Sequence, residues 1–447
     1  MLIIPLLIVL SALLAAASPV RRGIARPRPN TVILDPDYMQ RAAGNPDQGE
    51  LGNLKGLADR LLTVGPWNDY ASQGVYWWAT TASGCPYELR DGQRNPEIDL
   101  YTDRKDSSNM VNSVYYLSLA WWYTDDARYR QKAGEVLRTW FINGPTRMNP
   151  NLQHAQLIPC KCTGRKEGII DFSQVYTDVL DAVALLNTKF DGAWTQQDAN
   201  AFRDWNQQYL SWLTGSEFGQ KELAAKNNHG TFALMQVIAL QMFLGQNAAA
   251  KAQVIEQRSR IDQTIAIDGT TPLELKRATS WHYANFVLVA YLRTCAMAAR
   301  LGIDLWGFHG AQGQSIGRAV DYLAPYAAGK EWPWPKTSAP LKLFAAHDIM
   351  HFGAERGLGD PKRALETIPA PPGGSIWKLA PAVRQQDSTN VLGVFHSAQE
   401  AIIDDPTPAE EVASLEGEAP QEEIDALKAE LPSDQIQLLD ELTGGGI

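Results

Sequence analysis

Between about residue 36 and about residue 380, apolar residues return every three or four positions and almost nowhere every second position. That period marks helices with one buried face; a half-buried strand would alternate with period two. It predicts helices over Met110–Tyr123, Ala127–Phe141, Phe172–Leu186, Gln196–Leu213, Thr231–Leu244, Ala248–Ile265, Trp281–Leu301 and Ile316–Ala328. Breakers rich in Gly, Pro, Asn and Asp separate them, such as "NGPTRMNP", "LGQN", "IDGTTP" and "KEWPWP". Short connections favour antiparallel neighbours, so the expected fold class is all-α, built from paired antiparallel helices.

The helical domain is expected to span residues 36–400, with different material on either side. Residues 1–17, "MLIIPLLIVLSALLAAA", form an uncharged apolar run ending in small residues and read as a secretory signal peptide. Residues 18–35 are rich in Pro and Arg and are expected to be extended. Residues 401–447 hold thirteen Asp and Glu against one Lys and no aromatic residue, which reads as a disordered acidic tail. The chain carries −10 and this tail −12, so the remainder is +2 and does not repel an anionic ligand. No later segment is apolar enough to span a membrane, and no basic tract suits a nucleic acid. The expectation is a secreted extracellular monomer with neither membrane nor nucleic-acid partner. In an oxidising compartment Cys85 is expected to pair with Cys160 or Cys162, while Cys295, in an apolar helix, is expected to remain a buried thiol.

Three polar, irregular stretches interrupt the helices: "RMNPNLQHAQLIPCKCTGRKEGIID" (147–171), "KNNHGTF" (226–232) and "PLELKRATSWHYANF" (272–286). Asparagine competes for backbone hydrogen bonds, so one Asn could cap the helix that follows residue 229. Asn-Asn-His exceeds what a cap requires. Alone, the triplet reads as capping or packing. Together with Arg277 and Tyr283 it supplies the parts for proton abstraction beside a carboxylate. Amide and guanidinium groups can hold the carboxylate and its developing enolate charge, and His and Tyr can act as base and acid. No paired acidic residues stand out, which disfavours a two-carboxylate glycosidase. His347 and His351 stand four apart on a helix, but a packed pair is the simpler reading, and no metal or other cofactor is expected.

In this order and spacing, over residues 60–360, the three stretches resemble the signatures of the alginate-lyase-like family of polysaccharide lyases, within the chondroitin AC/alginate lyase superfamily. The resemblance implies an (α/α) toroid, an incomplete barrel of helix hairpins around a cleft for an anionic polysaccharide. It also implies β-elimination, which leaves a C4=C5 unsaturated uronate. On that basis Asn228 and His229 lie by the uronate carboxylate and the C5 proton, Arg277 neutralises the carboxylate, and Tyr283 protonates the leaving O4. Either His229 or Tyr283 can be the base, depending on the uronic acid. Gln153, His154, Gln156 and Arg165 resemble positions that face the sugar. Trp77 or Trp78 is expected to stack on a ring, and Asn227 and His282 to flank the substrate. The interval "RATSWHY" is shorter than in better-known alginate lyases and lacks an extra basic residue, so glucuronan stands beside alginate as the implied polymer. The alternatives are a glycoside hydrolase on the same toroid and a non-catalytic carbohydrate-binding protein.

Overall fold

The chain's described residues, in a computed structural model, are 23–384 except 69, 82–83, 91–92, 102 and 336–339. The expected signal peptide (1–17) and acidic tail (401–447) lie outside them, as do residues 18–22 and 385–400.

After an irregular segment at 23–35, the chain enters α1 (Pro36–Gly44) and α2 (Gln48–Leu61), capped by the side chains of Asp35 and Asp47. A small antiparallel hairpin, β1 (Trp77–Ala79) and β2 (Tyr87–Leu89), precedes the main helices. These are α3 (Asp103–Thr124), α4 (Ala127–Leu137), α5 (Gly168–Leu186), α6 (Gln196–Gly215), α7 (Glu217–Ala224), α8 (Asn228–Phe243) and α9 (Asn247–Thr264). A short α10 (Pro272–Leu275) leads to α11 (Ser280–Arg300), α12 (Ile316–Ala327), α13 (His347–Glu355) and α14 (Gly359–Ala364). All eight expected helices are present with shifted ends. The expected Ala127–Phe141 helix changes character at its end, widening into a π turn over Arg138–Ile142. The sequence pattern missed α2, whose three glycines weaken it as a helix former even though Leu54, Leu57 and Ala58 are buried.

Two layers follow from the patterning. α5 and α8 are buried almost along their whole length, as are α11 and α3 from Met110 to Tyr123. A helix that is apolar all round has to be covered on every side. α4, α6, α9 and α12 bury one face each; in α9 it is the stripe Ala250, Val254, Gln257, Ile261 and Thr264. Along the chain, a fully buried helix is thus repeatedly followed by a half-buried one. The fully buried helices also pack on one another in sequence, α3 on α5, α5 on α8 and α8 on α11. An aromatic seam joins α5 to α6, where Phe172 meets Tyr209 edge-on and the Tyr176 hydroxyl bonds Asn206.

Both ends of the described chain are tied to α5. Asp181 accepts backbone N–H groups from Val32, Ile33 and Leu34. One turn earlier, Asp178 accepts from Arg293 at 2.8 Å and from Arg384 at 2.6 Å. The segment before Arg384 also crosses to α2, where Ser375 O accepts from Asn53 at 2.9 Å and Lys378 N donates to Glu50 at 2.6 Å. Cys85 is disulfide-bonded to Cys160, Cys162 is a free thiol and Cys295 a buried one. Among the described residues no helix is long and apolar enough to cross a membrane.

Candidate active site

The start of α8 is assembled from three successive polar side chains, each held differently. Asn227 is the N-cap, its Oδ1 accepting the backbone N–H of His229 at 3.2 Å. Asn227 is thus the Asn of the triplet that caps the helix, and its side-chain oxygen is committed to that bond. Asn228 donates its backbone N–H and its Nδ2 to the two oxygens of Glu274, each at 2.8 Å. A carboxylate only accepts, so the amide nitrogen must face Glu274. The amide oxygen is left over, buried and without a hydrogen-bond partner among the described residues. His229 places Nδ1 2.7 Å from Glu222 Oε1 on α7. Gly230 follows because nothing larger fits: a Cβ there would lie 2.0 Å from Ala225 O and 2.4 Å from Arg260 Nη1. The close approach that glycine allows here is backbone to backbone.

Arg277 and Tyr283 come from the other side, just after α10 and in the first turn of α11. Arg277 Nη2 donates to the Tyr283 hydroxyl at 2.6 Å, and its guanidinium lies 3.9 Å from the centre of the Tyr283 ring. Phe232, one turn beyond His229, stacks on Phe286, one turn beyond Tyr283, with centroids 4.2 Å apart. That stack locks α8 to α11 beside both residues. Asn228, His229, Arg277 and Tyr283 are 0, 2, 2 and 1 % exposed. His282 also stacks on Phe286, and burial, reinforced by Lys342 and Arg277, pushes its imidazole down to about 3. It is therefore neutral near pH 7.

The 147–171 stretch divides into an exposed part and a buried part. Gln153 and His154 are exposed, and His154 lines an open groove of about 540 Å³ together with Lys161 and Thr163. Gln156 and Arg165, expected to face the sugar, are buried and bonded to each other. Arg165 Nη2 donates to Gln156 Oε1 at 2.6 Å, and Gln156 Nε2 donates to Asp171 Oδ2 at 3.0 Å. Asp171 also accepts from Arg104 at 2.8 Å. α5 starts at Gly168, so this carboxylate is an internal strut in the helix's first turn. Trp77 is 3 % exposed, with Lys161 4.2 Å and Arg165 5.7 Å from its ring centre. Trp78 is half-buried, donates Nε1 to Gln93 O at 2.6 Å and carries Arg90 over its ring. His347 bonds Asp348 at 3.1 Å, and His351 stacks on Trp377. Among the described residues no three His, Cys, Asp or Glu side chains are grouped to hold a metal.

The carboxylates at this site were not legible in the sequence. Glu274 is 46 residues from Asn228, and Glu222 lies in an ordinary amphipathic helix. Glu167 is buried nearby: burial alone would raise its pKa, but Lys166, Arg165 and His229 outweigh that and hold it down to about 2. Glu222, Glu274 and Asp171 each bind a protein donor or His229, which is an arrangement for orienting other groups and differs from a pair of acids facing a water.

The "Alginate lyase" family model matches residues 65–334. An alginate lyase from Bacteroides ovatus is 30% identical, covers 78% of this chain and 99% of its own, and superposes with a TM-score of 0.73. Alginate lyase A1-III from Sphingomonas species A1 is 15% identical, covers 81% of this chain and 99% of its own, with a TM-score of 0.56. A histidine-to-alanine variant of alginate lyase A1-III complexed with tetrasaccharide is 16% identical over 80% of this chain and 96% of its own, with the same TM-score of 0.56. None of the curated proteins matches. The two-layered run of helix hairpins is the helical toroid of these enzymes, and the chain belongs to the alginate lyase family of polysaccharide lyases.

Proposed function

We propose that this protein is a secreted lyase for polyuronates whose C5 hydrogen and O4 lie on the same face of the ring, either the mannuronate runs of alginate or glucuronan. The carrying observation is the hydrogen bond from Arg277 to the Tyr283 hydroxyl at 2.6 Å. A cation donating to a phenol oxygen stabilises negative charge as it forms there, which suits a tyrosine that exchanges a proton with the substrate. In D-manno and D-gluco uronates one group can reach both H5 and O4. In L-gulo uronates these lie on opposite faces and two groups are needed.

In this reading Tyr283 removes the C5 proton. The electron pair spreads into the carboxylate, where His229, Arg277 and the second Nδ2 hydrogen of Asn228, the one not given to Glu274, stabilise it. The pair then forms the C4=C5 bond as the C4–O4 bond breaks, and Tyr283 returns its proton to O4. The four groups are buried, so productive binding requires the side chains over them to move aside, after which the chemistry proceeds away from bulk water. Export is supported by the apolar residues 1–17 and by the Cys85–Cys160 disulfide.

The test is to incubate the protein with glucuronan, polymannuronate, polyguluronate, hyaluronan and chondroitin, following the ultraviolet absorbance of the conjugated double bond. Absorbance should rise on polymannuronate or glucuronan and fall about 10²–10⁴-fold for Tyr283→Phe. A rise on polyguluronate alone would overturn the same-face reading. New reducing ends without absorbance would mean hydrolysis.

A further inference from the structure

A histidine beside a carboxylate has its tautomer decided for it. An ionised carboxylate only accepts, so the ring nitrogen facing it must carry the hydrogen, and the other nitrogen is turned toward whatever lies beyond. His229 meets this condition. Its Nδ1 is 2.7 Å from Glu222 Oε1, both side chains are buried, and Lys166 Nζ stands 3.9 Å from the second Glu222 oxygen. The backbone reinforces the pairing. Arg260 on α9 donates to Ala225 O at 2.7 Å and also to Leu223 O, stapling the turn between α7 and α8. Glu222 is therefore carried on a fixed element facing a fixed ring.

We infer that Glu222 is a positioning residue, which holds His229 as the Nδ1–H form and presents Nε2 to the uronate carboxylate. The inference rests on the lyase reading for the identity of that carboxylate, and on the geometry alone for the tautomer. With Glu222 in place, Nδ1 stays protonated in both the neutral ring and the imidazolium. Protonation then changes only Nε2, which becomes a donor to the substrate carboxylate. Without Glu222 the ring is free to take the other tautomer, and Nε2 is no longer reserved for the substrate. Glu167 before α5 and Asp171 within it also interact with the charge of the ring, and both carboxylates remain in a Glu222 variant.

The test combines kinetics with imidazole nitrogen-15 spectra of the full-length protein labelled at histidine, using Glu222→Ala and Glu222→Gln. In the wild type the His229 Nδ1 should be protonated across the titration. Glu222→Ala should lose that preference and lower kcat about 10- to 100-fold, the range seen when the partners that orient metal-bound histidines are removed, with KM little changed. Glu222→Gln keeps an accepting oxygen and close to the original shape. It should fold like the wild type, retain the Nδ1–H form and recover part of kcat, and should Glu222→Ala fail to fold, this variant and the wild-type spectrum decide. A wild-type ring protonated only on Nε2 would overturn the inference, and so would unchanged spectra and kcat in both variants. A wild type that makes no unsaturated product from any polyuronate would refute the lyase reading, while its spectrum would still decide whether Glu222 holds the ring.

Discussion

Replacing Gly230 by Ala tests whether the α7–α8 turn is built as tightly as the geometry says. On an exposed helix the change would be mildly favourable, by about 0.5–1 kcal/mol. Here the new Cβ would sit 2.0 Å from Ala225 O, 2.4 Å from Arg260 Nη1 and 3.0 Å from Ala225 C. Ordinary contact begins near 3.4 Å, so the turn and the helix start must separate by roughly 1 Å or more. Overpacking of this kind costs about 1–3 kcal/mol. Displacing Arg260 from Ala225 O removes a charge-assisted bond worth about 1.5–3 kcal/mol. The net loss should be on the order of 2–5 kcal/mol after the helical gain. The same shift would stretch the 2.7 Å contact between Glu222 and His229, so lyase activity should fall about tenfold or more. Thermal unfolding by near-ultraviolet circular dichroism reads the first effect and product absorbance the second. Gly56→Ala is the control, because a Cβ there meets nothing within 4 Å, and it should leave both unchanged or slightly raise stability. A Gly230→Ala protein as stable and active as the wild type would refute the reasoning.

Three further outcomes are expected. Asp178→Asn removes the carboxylate shared by the buried Arg293 and Arg384, and should destabilise by about 3–5 kcal/mol; an unmoved denaturant midpoint would contradict this. The folded pKa of Glu167 lies near 2, below its ordinary value of 4.5, so its contribution to stability is present above about pH 4.5 and is lost as the pH falls toward 2. Glu167→Gln should flatten that limb of a melting-temperature profile, and parallel profiles would count against it. Cys85→Ser opens a loop closed over 75 residues, removing up to about 4 kcal/mol of chain-entropy stabilisation. Limited proteolysis should then cut the segment around the β-hairpin while far-ultraviolet helicity is retained, and unchanged protease resistance would argue that the hairpin is held by other contacts.

Helices such as Ile316–Ala327 were legible because each must bury a stripe, and a stripe is a local pattern. α8 was legible for another reason, since Asn228 and His229 are conspicuous in a run otherwise apolar. What a side chain does once buried was not legible. Nothing in the sequence shows that Arg165 bonds Gln156 and Gln156 braces Asp171, because those partners are set by how the 147–171 loop folds onto α5. Trp77 reads as a stacking platform until the hairpin brings it under Lys161. Glu222 and Glu274 carry no local signal, since a glutamate in a helix is ordinary and only the turns after α7 and α10 reveal what each one holds. Residue types thus advertised the chemistry, and tertiary contacts determined which protein groups each buried side chain holds.

The attachment of the segments at Val32–Leu34 and Arg384 to α5 bears on time more than on strength. Leu34 and Asp181 are 147 residues apart, and Arg384 and Asp178 are 206. Closure entropy grows only with the logarithm of such distances, so equilibrium stability barely registers them. Folding rate does, because contacts remote in sequence have to wait until the chain between them is ordered. Neighbouring hairpins can form early from local contacts, while Asp181 waits for Val32–Leu34 and Asp178 for Arg293 and Arg384. Until they dock, apolar surface on α3 and α11 is uncovered, and that partly assembled ring is the species most exposed to self-association. Recovery from denaturant should therefore depend on protein concentration during the final step, and dilution should improve the yield more than added time.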